Sequence, residues 1–208
     1  MPKKTMPLNS KLAETIKQFN ANEVNKERRD VLQPMIAYIQ AKVSAGEDVN
    51  LNFICTHNSR RSQLSQIWAQ AAAYYYGVEA SCYSGGVEVT AFNERAVEVI
   101  KKAGFNVTTK EKSNPIYFIF FSDDAEPIST FSKTYDDAIN PTDNFAAVMT
   151  CSHADENCPF IPGAESRIPV RYDDPKAFDG TPMEAAKYEE RSIEIANEMF
   201  YVFSQVNK

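Results

Sequence analysis

The stretch NFICTHNSRRSQLSQIWAQ, residues 52–70, decides the fold of this chain. An apolar run ends on Cys55, a short polar loop carries Arg60 and Arg61, and apolar residues then recur at helical spacing from Leu64. This order predicts a buried strand, a tight loop and a helix with one apolar face. A thiol is therefore expected at the carboxyl end of a strand, facing the positive end of a helix.

Strands and helices alternate along much of the remaining chain. Apolar runs predict strands in VNLNFIC, VEASCYS, PIYFIFFS and NFAAVMTC, which begin at residues 49, 78, 115 and 144. Periodic segments between them predict helices that are closed by Gly77 and Gly104. The alternation predicts an α/β fold with a four-stranded, mainly parallel sheet flanked by helices.

Two regions lie outside this alternation. Residues 1–48 predict an N-terminal helical extension that packs on the core, and Pro34 marks a break or a new helix start because proline clashes inside a helix. The polar segment around residues 109–144 predicts an insertion with little regular structure. Residues 49–208 are expected to form the domain that carries the chemistry.

Local signals place a turn and the start of the last helix. Gly85 and Gly86 predict a turn after the second strand. The sequence TPME predicts a helix start with Thr181 as the N-cap and Glu184 completing a capping box, and the helix is expected to run to about Gln205.

Composition excludes several classes of function. The formal net charge of −6 over 208 residues disfavours a nucleic-acid or membrane-surface binder, since anionic backbones and lipids reward a basic face. Neither a membrane-spanning run nor a secretory signal is visible, so a cytoplasmic location is expected. Four cysteines are too few for a disulfide scaffold, and in a reducing compartment they indicate catalytic, redox or metal chemistry.

The opening loop has the residue types that bind a tetrahedral oxyanion. Cys55 and Arg61 have the spacing C-x5-R, between a strand and a helix whose N-terminal N–H groups converge on one point. Arg61 can add a bidentate fork, and the same positive field favours the nucleophilic thiolate of Cys55. The predicted oxyanion-binding residues are Thr56, His57, Asn58, Ser59, Arg60, Arg61 and Ser62. Asn58 tolerates the left-handed backbone of a tight loop, and Ser62 can donate a hydrogen bond to the thiolate.

Two other segments can supply partners for this loop. Cys151 ends a predicted strand as Cys55 does, so both thiols are expected at the same edge of the sheet, where ligands bind. The sequence RYDDPKAF offers Asp173 and Asp174 before a proline, and a loop carboxylate can protonate a departing oxygen. Read locally, the same sequence is also typical of a solvated turn.

At this point the residues carry a family resemblance. CTHNSRRSQ resembles the anion-binding loop of low-molecular-weight protein tyrosine phosphatases and of the thioredoxin-coupled arsenate reductases with the same fold. YSGGVEVTAFNERAVEVIKKAGF is similar to the next strand and helix of that family. VMTCSHADENCPFIPGA followed by YDDP resembles the arsenate reductase branch, which has two redox cysteines in this segment. The resemblance covers about residues 49–206, interrupted by the insertion.

The resemblance implies a mechanism for this chain. Cys55 attacks arsenate held by the loop and Arg61, and Asp174 protonates the leaving oxygen. Cys151 then attacks Cys55 and releases arsenite, Cys158 attacks Cys151, and thioredoxin reduces the final disulfide. No cofactor is expected beyond thioredoxin as the external reductant.

The loop departs from the family pattern at two positions. His57 stands where glycine is common, and Arg60 stands where a small residue or cysteine is common. Arg60 either points inward and strengthens anion binding or faces solvent at the helix start. Some family members bind potassium through an acidic residue of the first helix, where this chain has Gln66, so no metal site is expected.

Helix geometry adds a requirement for the cysteine pair. If residues 151–158 were helical, the Cα atoms of Cys151 and Cys158 would lie about 10 Å apart. A disulfide tolerates at most about 7 Å between Cα atoms, so this segment is expected to unwind on oxidation.

Two other functions stay open at this stage. A phosphatase acting on phosphotyrosine or a small phosphate ester would use Cys55, Arg61 and Asp174 and would not need the cysteine pair. A structural zinc site would use Cys151, His153 and Cys158, with a fourth ligand still to be supplied. Cys82, inside a strand, is interpreted as a small buried apolar residue.

Overall fold

The structure is a computed structural model that describes residues 5–19, 24–110, 113–158 and 160–208. In chain order its elements are α1 (Ser10–Lys17), α2 (Lys26–Ala45), β1 (Val49–Cys55), α3 (Arg61–Tyr76), β2 (Ala80–Gly86), α4 (Glu94–Ala103), β3 (Asn106–Thr109), β4 (Tyr117–Phe120), β5 (Ile128–Thr130), β6 (Phe145–Met149), α5 (Ser152–Asn157), β7 (Ala164–Pro169) and α6 (Glu184–Gln205). A short 3₁₀ turn, Pro175–Phe178, precedes α6.

The main sheet has four parallel strands in the order β2-β1-β6-β7. Cys55 lies opposite Gly86 at the end of β2, and Ile54 lies opposite Met149 near the end of β6. Cys151 lies two residues after the end of β6, so both cysteines lie at the carboxyl edge of the sheet. The predicted α/β fold with a four-stranded parallel sheet is confirmed.

The membership of that sheet differs from the prediction at one strand. The segment PIYFIFFS forms β4, but β4 pairs antiparallel with β3 and β5 in a separate three-stranded sheet. The fourth parallel strand is β7, whose sequence AESRIP carries three polar side chains and was not recognised as a strand. As an edge strand β7 is paired on one side only, and its half-exposed residues give no apolar run.

Each face of the main sheet is covered by a different layer. Leu51 and Phe53 of β1 and Val148 of β6 belong to the larger apolar cluster, together with residues of α2, α3 and α6. Ile54 and Met149 point to the other face, into a smaller cluster that also holds Cys55, Cys151 and Ala154. The alternation of these residues follows from the two-residue period of a strand. Cys55, at the very end of β1 where the chain turns into the loop, joins Cys151 and Ala154 in the smaller cluster.

The N-terminal residues form two helices that pack on this core. Leu12 and Ile16 of α1 and Leu32 and Ile39 of α2 are buried in the larger cluster. The expectation that Pro34 breaks the helix is wrong, because α2 is continuous through it. Pro34 and the residue four positions before it are both exposed, so water can bind the carbonyl that loses its partner.

Two other local predictions shift by a few residues. Gly85 and Gly86 form the end of β2 rather than a turn. The last helix begins at Glu184 instead of Thr181. Thr181 accepts a hydrogen bond from the Met183 N–H, and Glu184 accepts one from the Gly180 N–H, so the capping contacts form one turn before the helix.

Within the described residues, no helix is both long enough and apolar enough to cross a membrane.

Candidate active site

The loop between β1 and α3 is organised by the side chain of Asn58. Asn58 has a φ of +46°, the left-handed backbone expected for it. Its amide nitrogen donates to Ser62 Oγ at 2.8 Å, and its amide oxygen accepts from Gln63 Nε2 and from the Lys133 backbone N–H. The side chain is fully buried, so these bonds fix the loop in one conformation.

Cys55 lies under this loop within reach of a hydroxyl donor. Its Sγ is 3.0 Å from Ser62 Oγ, and the residue is 3% exposed. Because Ser62 Oγ already accepts from Asn58, its own hydrogen is free to point at the sulfur. The chain Asn58 to Ser62 to Cys55 therefore delivers a hydrogen bond to the thiol or thiolate.

Arg61, the first residue of α3, joins the loop to the Asp-Pro segment. Its Nη2 donates to Asp174 Oδ2 at 2.8 Å, and its Nη1 donates to the Tyr172 carbonyl at 3.1 Å. Among the described residues, Arg61 Nε is buried and has no hydrogen-bond partner. Asp173, the other carboxylate of this segment, is fully exposed, so Asp174 is the carboxylate of this segment that contacts Arg61 of the loop.

Arg60 takes neither of the two positions considered from the sequence. Its side chain is 11% exposed and donates through Nε to the Tyr188 hydroxyl at 2.8 Å, so it does not face solvent. Asp174 and Asp179 lie 3.9 and 3.8 Å from its guanidinium. The Tyr188 hydroxyl donates to Asp179, and burial together with that bond raises the pKa of Tyr188 to about 12. Arg60 thus anchors the segment around Asp174 to α6.

His57 contributes its backbone to the loop, while its side chain points outward. The imidazole is 41% exposed, with Nε2 3.4 Å from Glu88 Oε2. The His57 carbonyl accepts hydrogen bonds from the Ser132 and Thr90 hydroxyls. The larger side chain that replaces glycine at this position is therefore accommodated at the surface of the loop.

The other predicted loop residues are buried with specific partners. Ser59 is 7% exposed and donates to the Ala91 carbonyl at 2.7 Å. Thr56 Oγ1 lies 3.5 Å from Cys151 Sγ and 3.3 Å from His153 Nδ1. Thr56 is therefore the side chain that connects the anion loop to the second cysteine.

Cys151 occupies the N-cap of α5. Its Sγ accepts a hydrogen bond from the Ala154 N–H at 3.3 Å, and the residue is 1% exposed. His153, which sequence reasoning considered only as a zinc ligand, contacts the same threonine. Nothing in the local sequence indicated that contact, because it joins residues 97 positions apart.

Cys158 lies at the opposite end of α5 and is half-buried, and all four thiols are free. Cys82 is buried in β2, and burial raises the pKa of its thiol, in keeping with its interpretation as an apolar residue. Within the described part of the chain, no group of three or more His, Cys, Asp and Glu side chains is arranged to hold a metal ion. The described residues therefore give no support to a structural zinc site formed by Cys151, His153 and Cys158.

Gln66 uses its amide within the protein. Its Nε2 donates to the Cys82 carbonyl, and its Oε1 accepts from the Ser84 and Thr130 hydroxyls. The neutral amide at this position is satisfied by hydrogen bonds to β2 and to the insertion.

The insertion supports the loop from behind, a role that the sequence did not reveal. Residues 131–135 run beside the end of β2, where Gly86 pairs with Thr134. The Gly86 N–H donates to the Lys133 carbonyl, and a Cβ added at Gly86 would lie 2.7 Å from the Asn58 nitrogen. Only glycine therefore allows β2, the loop and the insertion to approach this closely. The insertion also contains β4 and β5 of the three-stranded sheet, so it has more regular structure than expected. Its residues 131–135 are held in place by these bonds.

A cleft opens beside the loop. Its volume is about 350 Å³, and its lining includes His57, Ser59, Arg60, Phe92, Asn93 and Lys176. Arg60 and Lys176 supply two positive charges and Glu94, which also lines the cleft, supplies a negative one, so the lining has mixed charge.

Comparisons with known proteins identify relatives of this chain. The family model of the low molecular weight phosphotyrosine protein phosphatases matches residues 50–118. Arsenate reductase 2 of Staphylococcus haemolyticus is 30% identical over 123 residues, which cover 59% of this chain and 76% of that protein. Arsenate reductase of Bacillus subtilis is 27% identical over 162 residues, which cover 78% of this chain and 99% of that protein.

A solved structure shares the fold. The low molecular weight protein tyrosine phosphatase of T. tengcongensis aligns with a TM-score of 0.52 at 18% identity, over 76% of this chain and 99% of that one. With its C-x5-R loop, its parallel sheet and its arsenate reductase relatives, the chain belongs to the family that unites low molecular weight phosphotyrosine protein phosphatases with arsenate reductases, and it is an enzyme.

Proposed function

We propose that this enzyme reduces arsenate to arsenite through a thiol relay from Cys55 to Cys151 to Cys158, with thioredoxin as the final reductant. One observation carries the proposal: the thiol in the anion loop, Cys55, lies one side chain away from a second thiol. Thr56, the residue after Cys55, contacts Cys151 at 3.5 Å. A third thiol, Cys158, is at the other end of the same short helix.

The oxyanion binds in the loop against Arg61. Arg61 Nε is buried without a hydrogen-bond partner among the described residues, and an unsatisfied buried donor is costly unless a ligand accepts from it. The guanidinium now holds Asp174, so an incoming dianion competes for the same fork. Binding then frees the Asp174 carboxyl to take up a proton and face the leaving oxygen.

The first chemical step forms a bond between sulfur and arsenic. The Cys55 thiolate attacks the arsenic of arsenate, and one arsenate oxygen leaves as water after it receives a proton from Asp174. The hydrogen bond from Ser62 holds the attacking sulfur in place. Backbone N–H groups of the loop and the Arg61 fork hold the remaining oxygens.

The second step reduces arsenic. The Cys151 thiolate attacks Cys55 Sγ, the sulfur–arsenic bond breaks, and arsenic leaves with the bonding electrons as arsenite. Arsenic(V) becomes arsenic(III), and the two thiols become the Cys55–Cys151 disulfide. The position of Cys151 beside Thr56 supports this order, because Cys151 is buried next to the loop while Cys158 is half-buried and farther along α5.

The third step moves the disulfide outward. The Cys158 thiolate attacks Cys151 Sγ, and Cys55 leaves as a thiolate that is ready for another arsenate. Six helical residues separate the two cysteines, which places their Cα atoms about 10 Å apart, beyond the roughly 7 Å that a disulfide allows. Helix α5 must therefore unwind. The dithiol of thioredoxin then reduces the Cys151–Cys158 disulfide by the same exchange chemistry.

Hydrolysis of a phosphate ester is the second candidate, and one observation favours it. The matched phosphatase family region, residues 50–118, contains the whole anion loop and ends before the cysteine pair. Phosphate has the same shape and charge as arsenate, so Cys55, Arg61 and Asp174 would serve both reactions.

The variant Cys158→Ser separates the two candidates. With thioredoxin, its reductase and NADPH supplied, it should release about one arsenite per enzyme and stop as the Cys55–Cys151 disulfide. In a separate assay without arsenate, the reduced variant should hydrolyse p-nitrophenyl phosphate as the unmodified enzyme does. Cys82→Ser is the matched control and should keep many turnovers. If the unmodified enzyme hydrolyses the ester but releases no arsenite, or if Cys158→Ser sustains many turnovers, the reductase proposal is wrong.

A further inference from the structure

Helix α5 is too short to be stable without contacts to the rest of the protein. It has six residues, and isolated helices in water need about 12 or more. Four of the six side chains are exposed, and only Ala154 and Asp155 are buried. The helical form of the segment between Cys151 and Cys158 therefore depends on how these two residues are held.

Asp155 is held by two arginines from β7 and the segment that follows it. Its side chain is 4% exposed, with Oδ1 2.6 Å from Arg167 Nη2. Arg171 Nε donates to Asp155 Oδ2 at 2.6 Å, and Arg171 Nη2 contacts the same oxygen. A buried carboxylate is costly unless it is paired, so the helical form of α5 is favoured only while both guanidinium groups are in place.

Arg167 also holds the carboxyl end of the helix. Its Nε donates to the Cys158 carbonyl at 3.1 Å, and its Nη2 contacts the Asp155 carbonyl. Carbonyls at the end of a helix lack partners within the helix, so Arg167 acts as a cap supplied by another element. Residue 158 cannot move toward residue 151 while its own carbonyl is held in this way.

We propose that Asp155, together with Arg167 and Arg171, is a latch that holds α5 helical and thereby sets how readily the Cys151–Cys158 disulfide forms. Asp155 is a positioning residue, since the partners of its side chain are Arg167 and Arg171 and it lies outside the anion loop. This inference rests on the proposed relay. The latch keeps the two thiols apart in the reduced enzyme, and unwinding breaks it each time the disulfide moves outward.

The latch has a definite consequence for the redox equilibrium. Formation of the disulfide removes two electrons and two protons from the two thiols and passes them to an oxidant such as oxidised glutathione. Contacts present only in the dithiol form oppose this reaction. Loss of the latch should therefore make the disulfide more stable and harder to reduce.

The test is a redox titration of the isolated cysteine pair in the full-length chain. In a Cys55→Ser background, the protein is equilibrated with mixtures of reduced and oxidised glutathione, and the disulfide fraction is measured by alkylation and mass spectrometry. Asp155→Asn should raise the equilibrium constant for disulfide formation about tenfold, which corresponds to about 30 mV for two electrons. Arg171→Gln, a change at a half-exposed side chain, should shift it in the same direction.

Glu165→Gln is the matched control. Like Asp155, Glu165 is an ion-paired carboxylate, and it lies in the same strand, β7, as Arg167. Its partners are Lys42 and Tyr38, so it makes no contribution to the latch. In the Cys55→Ser parent protein, Glu165→Gln should leave the equilibrium constant for disulfide formation within about twofold of the parent value, a change of less than 0.5 kcal/mol. If Asp155→Asn fails to fold, Arg171→Gln decides the question.

Two results would count against the proposal in different ways. Equal equilibrium constants in the parent, Asp155→Asn and Arg171→Gln would refute the proposed latch without contradicting the thiol relay. If the parent forms no Cys151–Cys158 disulfide at any glutathione ratio, the proposed relay itself is wrong.

Discussion

At the scale of single residues, one asparagine fixes the geometry of the anion loop. Asn58 has a positive φ, and its side chain joins Ser62, Gln63 and the backbone of Lys133. Residue type alone predicted its backbone conformation, because asparagine tolerates the left-handed region. Its partner in the insertion lies 75 residues away, and no local pattern could indicate that contact.

Removal of the Ser62 hydroxyl tests its hydrogen bond to the Cys55 sulfur. Hydrogen bonds to a charged group contribute about 1.5–3 kcal/mol, so Ser62→Ala should slow alkylation of Cys55 by iodoacetamide at pH 7 about tenfold or more. Ser65→Ala is the matched control, since Ser65 is a buried serine of the same helix that bonds to the Arg61 carbonyl. Alkylation is followed at each cysteine by mass spectrometry. Equal rates at Cys55 in both variants would show that Ser62 does not stabilise the thiolate.

At the scale of elements, the sequence predicted what local signals determine. Gly77 and Gly104 end α3 and α4 in the left-handed conformation, where glycine is favoured. The apolar runs of β1 and β6 are buried on both faces and were recognised as strands. The apolar run of β4 gave an equally strong signal, but a run reveals that a strand exists and not which sheet it joins. Long-range pairing places β4 in the three-stranded sheet, and the polar edge strand β7 is the fourth strand of the main sheet.

The insertion segment 131–135 shows how an irregular element can be fixed by side chains. Ser132 bonds to the His57 carbonyl, and the backbone of Lys133 bonds to Asn58 and Gly86. This packing buries the Lys133 side chain over the ring of Phe131, and burial lowers the pKa of Lys133 from 10.5 to about 8. The segment thus supports the loop, but burial of the charged Lys133 ammonium group lowers the stability of the folded protein.

Lys133→Met tests this free-energy penalty, because the penalty should depend on pH. Below about pH 8 both the folded and the unfolded chain carry the proton, and the burial penalty is complete. Between about pH 8 and 10.5 the unfolded chain binds more protons than the folded one, so stability of the unmodified protein rises with pH. Lys133→Met should therefore be more stable by up to about 3 kcal/mol at pH 7, and the difference should shrink toward pH 10.

The measurement for Lys133 is the free energy of unfolding in urea at several pH values. Lys110→Met is the control, because Lys110 also lies over a phenylalanine ring but is exposed. A difference between the Lys133 variant and the unmodified protein that stays constant from pH 7 to pH 10 would contradict the assigned titration.

At the scale of the whole molecule, a buried ion pair connects the N-terminal helices to the anion loop. Arg28 of α2 makes two hydrogen bonds to Glu198 of α6, at 2.7 and 2.8 Å. Glu198 also accepts from the Tyr172 hydroxyl, and the Tyr172 carbonyl in turn accepts from Arg61. Arg28 lies over the Tyr172 ring, and the Glu198 carboxylate raises the pKa of its guanidinium. The extension is therefore part of the structure that positions the loop arginine.

Breaking this pair should cost more than losing an exposed one. Arg28→Met leaves the Glu198 carboxylate, with a side chain 4% exposed, buried without its cationic partner, and such changes destabilise proteins by about 3–5 kcal/mol. The double variant Arg28→Met with Glu198→Gln should recover part of the loss, because no buried charge is then left unpaired. Lys42→Met, which removes the two ion pairs of Lys42 with the exposed carboxylates of Glu47 and Glu165, should change the free energy of unfolding in urea far less. If the single and double variants at Arg28 lose the same stability as Lys42→Met, the buried pair is not what ties the N-terminal helices to the site.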